Sequence, residues 1–188
     1  MVLRNELYIV NITVDTTYTF QSADNRPYDL ELNPENYTHS GFYKTLSIHI
    51  DSFSDEIDIA LIGSFYSYDT DCAVLEGDIL TVMQNNFISQ IDLKNVRLLL
   101  HKKFDCFGCA YGLFRVPKGF IVFGELEIVG LDLNFDRVWG FSDKDIFVSQ
   151  SLKKPFEIGE ASIKLYDWED NYYELDFDGH LIRAYPSS

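Results

Sequence analysis

The sequence predicts an all-β protein built of antiparallel meander repeats, arranged either as a β-sandwich or as a small propeller-like stack. Three observations carry this expectation. Three stretches, residues 77-103, 119-145 and 160-185, align on a Leu/Ile-Asp step, and their aspartates Asp92, Asp132 and Asp176 stand 40 and 44 residues apart. That period belongs to multi-stranded repeat units. Aromatic residues make up 15% of the chain, with Phe and Tyr far ahead of Trp, and such side chains suit a pleated, half-buried surface. No segment shows a sustained 3.6-residue apolar period; "LTVMQNNFISQI" comes nearest, and its β-branched content and place in the alignment favour strands.

The 188 residues are one domain's worth of chain, enough to bury roughly 70% of the unfolded surface. Residues 1-70 read as N-terminal strands with a long loop, and residues 75-185 as three meander repeats. In the first part, "ELYIVNITV" and "KTLSIHI" alternate apolar and polar residues, and "IDIALIGSFY" is a continuously apolar strand of the buried kind. Between the first two, residues 21-41 hold two of the five prolines among many Asn, Asp and Ser residues and read as a long exposed loop or crossing segment.

Each repeat has one grammar. An apolar strand (79-82, 120-123, 163-166) leads through a polar turn to a second strand ending at the aspartate (88-91, 128-131, 172-175). A turn rich in Asn, Asp or Gly follows, and then a third strand (96-100, 137-141, 180-185). Connections this short join antiparallel neighbours only. The repeated aspartate has a structural job: its short carboxylate accepts hydrogen bonds from turn amides just downstream. Asp178-Gly179 is the candidate tight turn of the last repeat.

The formal charge is -15 at pH 7, and residues 1-94 hold 15 acidic against 4 basic side chains. Between Lys44 and Lys94 there is no Lys or Arg. Such a field repels nucleic-acid phosphates and attracts a basic protein partner. The N-terminus lacks a basic region followed by a long apolar run, and no apolar stretch approaches the ~20 residues that span a bilayer. Three cysteines, an odd number, argue against a disulfide framework. The expectation is a soluble cytoplasmic chain with free thiols, no cofactor, no membrane contact and an oligomeric state left open.

A strand ending in Leu131-Asp132, a turn, and a strand carrying Trp139 together resemble the β-propeller repeats of the pyrroloquinoline-quinone dehydrogenase type. They also resemble repeats of uncharacterised bacterial proteins. The resemblance spans about residues 75-185 and implies shape only, since nothing matches that family's cofactor-binding residues. At the position of Trp139 the first copy has Leu99 and the third Arg183.

Chemistry-bearing motifs are few. Cys106 and Cys109 have the CxxC spacing of metal knuckles and thiol redox sites, but a structural zinc needs four ligands and only Cys72 and His101 offer themselves as additions. Otherwise the two cysteines pack as small apolar residues with Phe104, Phe107 and Tyr111. No nucleophile elbow, HExxH, phosphate-binding loop or dinucleotide fingerprint occurs. Two stretches combine aromatic and acidic residues in the manner of protein-recognition surfaces, Tyr66, Tyr68, Asp69 and Asp71 in one and Trp168, Glu169 and Asp170 in the other. The expected function is therefore non-enzymatic binding of a basic protein partner, with immunity or antitoxin proteins as the nearest type. The alternative is a small-molecule or glycan-binding module with Trp139, Trp168 and the tyrosines as stacking platforms.

Overall fold

The computed structural model describes residues 1-38, 43-64, 71-151 and 154-187. The fold is all-β, with no helix among the described residues. The chain forms two compact units, Met1–Lys103 and Phe104–Ser188.

In the first unit, β1 (Val2–Arg4), β2 (Tyr8–Asp15), β3 (Leu30–Leu32), β4 (Lys44–Ser52) and β5 (Glu56–Gly63) make a sheet ordered β1-β2-β4-β5-β3. All its pairings are antiparallel except that of β3 with β5. A second sheet is the meander β6 (Ala73–Glu76), β7 (Ile79–Gln84), β8 (Phe87–Asp92) and β9 (Arg97–Lys103). Alternation decides what meets what: Val10 and Ile12 point inward, their neighbours Asn11 and Thr13 outward. Together with Ile48, Leu61, Leu80 and Ile91, the inward residues form a core shared by the two sheets.

β5 is buried on both faces, as its continuous apolar run implied. Ile59 and Leu61 enter the shared core, whereas Ala60 and Ile62 lie under a second cluster with Tyr18, Phe20, Tyr28, Tyr37 and Tyr43. The expectation of an exposed loop over residues 21-41 needs correction here. Part of it is β3, and its Tyr28 and Tyr37 join Tyr18 and Tyr43 over the sheet, with the Tyr18 hydroxyl donating to Glu31 at 2.8 Å and that of Tyr28 to Asp15 at 2.6 Å. Polar turn residues hid this, because the apolar area comes from Tyr18, Tyr28, Tyr37 and Tyr43, too widely spaced to show a strand period.

The second unit holds two four-stranded meanders. One is β10 (Ala110–Val116), β11 (Gly119–Gly124), β12 (Ile128–Leu131) and β13 (Arg137–Phe141); the other is β14 (Phe156–Ile158), β15 (Ser162–Tyr166), β16 (Tyr172–Asp176) and β17 (Leu181–Tyr185). Ile121, Ile128 and Phe147 pack with Ile163, Leu165 and Leu175 in its core. The three repeats are thus real, but each has four strands and not three. The missed first strands have local reasons: β6 and β14 are very short, and β10 is broken by a register shift between Ala110 and Gly112.

The repeated aspartates do the turn work expected of them. Asp132 accepts from the amides of Asn134 (2.8 Å) and Asp136 (2.9 Å), and Asp176 from those of Asp178 and His180 (both 2.9 Å). In both turns the fourth residue, Phe135 or Gly179, sits in the left-handed region at φ 61° or 83°. This is the three-residue hairpin loop that closes on a left-handed residue. The turn after Asp92 is one residue longer and bonds Asn95, with Val96 left-handed. Because of that extra residue the aligned counterpart of Trp139 shifts: Trp139 pairs with Gly130, Arg183 with Glu174, and in the first copy Leu100, not Leu99, pairs with Gln90. Leu99, Val138 and Ile182 are instead the extra residues of one bulge repeated in all three sheets.

Trp139 ties the two sheets of the second unit together. Its indole Nε1 donates to the carbonyl of Phe177 at 3.1 Å. The ring lies so close to two backbones that a Cβ on Gly130 would fall 2.1 Å from it, and one on Gly179 2.5 Å from it.

Gly130→Ala should therefore lose about 1–3 kcal/mol by forcing the indole out, a loss readable by urea denaturation. Gly77→Ala, with open space around the Cβ and φ 56°, should lose only the left-handed backbone cost of about 1–2 kcal/mol. Hydrogen bonding from the His180 amide, with help from the His180 ring and the Asp178 amide, holds the Asp176 carboxyl below its usual range. Its folded-state pKa lies under the unfolded one, so its contribution is complete above about pH 4 and is lost as pH falls through the folded value. Asp176→Asn should flatten the fall of melting temperature below pH 4.

Candidate functional site

A cleft of about 460 Å³ opens in the second unit, and three chain segments build it. The first is the tract "FSDKDIF". Phe141 and Phe147 anchor its two ends, stacked at 5.9 Å, and the Phe147 amide donates to the Glu125 carbonyl at 2.8 Å. With both ends held in the core, Ser142, Asp143 and Lys144 are pushed into solvent. The second segment is the β15–β16 turn. Asp167 begins it and is only 1% exposed, accepting from the Asn171 amide at 2.9 Å and from the Tyr173 hydroxyl at 2.9 Å. Its fourth residue, Asp170, has φ 62°, so this turn repeats the design at Asp132 and Asp176. The third segment is the end of β17 with Tyr185 and Pro186.

Electrostatically the cleft is one-sided. Asp143, Asp145, Asp167 and Glu169 line it, against the single cation Lys144. Burial first, and then the neighbouring carboxylates of Asp143 and Asp167, push the Tyr173 hydroxyl far above its ordinary range, so it stays a neutral donor. Exposed carboxylates such as those of Asp143 and Glu169 can accept charge-assisted hydrogen bonds from a guanidinium or ammonium group, and Tyr185, 55% exposed and stacked on Tyr172, stands beside them.

Of the residues expected from the sequence, Glu169 lines this cleft. Trp168 and Asp170 occupy the same turn; the indole is 43% exposed, and Asp170 accepts from the Ser149 hydroxyl. Asp71 belongs to the first unit, exposed and left-handed at φ 70° just ahead of β6. Tyr66, Tyr68 and Asp69 lie outside the described residues. Asp143, Asp145, Tyr173 and Tyr185 were missed. A polar tract bracketed by Phe141 and Phe147 was the one available signal, and no motif marked the tyrosines.

The CxxC stretch has a different geometry from the aromatic corner expected of it. Phe104 is buried, but Phe107 is 72% exposed. The loop is clamped from below by Glu127, which is buried and accepts from the Phe107 amide and from Arg137 at 3.0 and 2.8 Å. Burial, reinforced by the Glu127 charge, pushes the Cys106 thiol up to about 12. The proposed additional ligands are engaged elsewhere: His101 contacts Ser89 at 2.9 Å and Glu35 at 2.8 Å, and Cys72 is buried beside the Met1 sulfur. Among the described residues no three His, Cys, Asp or Glu side chains are grouped to hold a metal ion.

A second concavity, about 330 Å³, lies beside Trp139 and is walled by Phe120, Ile121, Leu131 and Phe177. Trp139 is already packed on glycine backbone and its Nε1 is bonded, so its role is docking between sheets.

No family model matches the sequence, and no curated protein sequence matches it. Among solved structures the chain is similar to BamB from Moraxella catarrhalis, with a TM-score of 0.49 and 10% identity over 91% of this chain and 54% of that one. It is also similar to Hsv2 from Kluyvelomyces marxianus, with a TM-score of 0.35 and 9% identity over 78% of this chain and 62% of that one. The chain thus spans about half the length of the first and three-fifths of the second.

With its thiol raised to about 12, Cys106 should carry over a thousandfold less thiolate at pH 8 than a free thiol of pKa about 8.5. Iodoacetamide labelling followed by mass spectrometry should find it nearly unmodified in the folded protein and fully modified in urea.

Proposed function

We propose that this is a non-enzymatic protein that binds a basic protein partner through the acidic, aromatic cleft of the second unit. The observation that carries the reading is the cleft itself: four carboxylates and two tyrosine rings converge on about 460 Å³ with one lysine among them. The overall charge of -15 extends the attraction beyond contact distance. A protein of this kind steers its partner electrostatically and fixes register with a few buried contacts. The immunity and antitoxin proteins, acidic binders that occlude a basic toxin, are the functional type that fits best, with the cytoplasm as its place of action. The relation to pyrroloquinoline-quinone dehydrogenase repeats is proposed as one of shape, supported by the Leu131-Asp132 turn and the docking of Trp139 on the neighbouring sheet.

For a partner recovered by co-purification, Asp143→Asn/Asp145→Asn should weaken binding about tenfold, chiefly through the association rate, and flatten its salt dependence. Surface plasmon resonance between 50 and 300 mM salt reads both. An unchanged affinity and salt slope would overturn the reading, and protection of growth on co-expression with a toxic basic partner would establish the immunity type.

A further inference from the structure

The acidic cleft shares a wall with an apolar slot. Residues Asp143, Lys144 and Asp145 line the cleft on one side and, on the other, a smaller pocket of about 260 Å³ formed with Phe107, Leu126 and Ile146. Phe107 dominates that slot, and its 72% exposure is unusual for so large an apolar ring.

Its backbone is held rigidly in this exposed position. The Phe107 amide donates to the buried Glu127 carboxylate, itself paired twice with Arg137. Gly108 follows at φ 83°, where a Cβ would crowd the Leu126 side chain at 3.1 Å. The Cys109 carbonyl accepts from the Glu125 amide at 2.8 Å. A ring kept in water on a clamped loop loses little conformational freedom when a partner covers it, which is the property of a binding anchor. The CxxC stretch, read as a presentation loop, thereby acquires a role that a high-pKa thiol does not give it.

We infer that the cleft and the Phe107 slot form one composite docking surface for a basic protein segment that presents an apolar side chain beside an arginine or lysine. The cation seats among the exposed carboxylates beside Tyr185, and the apolar side chain covers Phe107. Charge complementarity selects the occupant, because Asp143, Asp145 and Glu169 disfavour an acidic segment. The two concavities share Asp143, Lys144 and Asp145, so the two side chains stand a few residues apart on the segment. This rests on the proposed function and adds to it the chemical form of the partner.

The probes are short glycine-serine peptides carrying two arginines, with either a leucine or a serine three positions from one of them, read by NMR titration. The leucine peptide should bind the native protein about tenfold more tightly than the serine peptide. Phe107→Ala, with an unchanged melting temperature expected of so exposed a side chain, should erase that preference, and Phe107→Leu should keep part of it. Asp143→Asn/Asp145→Asn should weaken both peptides. If the carboxylate variant weakens both while Phe107→Ala leaves the preference intact, the composite surface is wrong and the acidic cleft stands. If neither peptide binds, or binding ignores the carboxylates, both readings fall.

Discussion

The constraint on which this structure rests is the need of every hairpin to satisfy the backbone amides where its chain reverses. An amide left unpaired away from water costs about as much as a lost hydrogen bond, and one bonded within its own turn also fixes the loop. At four of its turns the protein meets that need with a carboxylate at or just after the strand's last position, which accepts from amides up to four residues on. Asp132, Asp167 and Asp176 do so with one geometry and Asp92 with a longer variant. Asn33 uses the same device with an amide side chain, bonding the Tyr37 amide at 2.9 Å while Asn36 takes the left-handed position at φ 54°.

Consequences spread outward from these turns. Loop length sets register, and in each repeat a bulge follows two or three residues into the next strand, exposing Leu99, Val138 or Ile182. In the second repeat that register carries Trp139 onto Gly130 and across to the Phe177 carbonyl in the turn after β16. The Asp176 turn therefore shapes both its own hairpin and the seat for a neighbouring sheet's tryptophan. The Asp167 turn has a double effect too, because its carboxylate pins Tyr173 while the next residues, Trp168 and Glu169, are thrust toward solvent and the cleft.

Charge is used in two distinct ways. Asp167 and Glu127 are buried and saturated with donors, so they act as structural acceptors whose loss would leave amides or a guanidinium stranded. Asp143 and Glu169 instead stand exposed at the cleft. A count of acidic residues along the chain does not separate these classes. The cation-free stretch 45-93 illustrates this: within it, Asp58 accepts from Arg26 at 2.7 Å and from the His49 ring at 3.2 Å, and Asp92 is spent on its turn.

What the sequence determined by itself was the local grammar. Period-two alternation, β-branched and aromatic content, and the Leu/Ile-Asp step placed 128-131 and 137-141 to the residue and identified the turn role of the aspartates, because these depend on neighbours a few positions away. It also placed Glu169 and Trp168 on an aromatic, acidic turn. Tertiary structure alone decided the rest. The short strands β6 and β14 exist only because a longer neighbour pairs with them, and the tyrosines of residues 18-43 found a sheet face that no local pattern announces. The cleft joins Asp143, Glu169 and Tyr185 from three different segments, and the loop that presents Phe107 is held by the buried Glu127, 20 residues away, which Arg137 pairs in turn. Such convergence depends on how strands pack, and packing is set by long-range burial that a linear pattern does not encode.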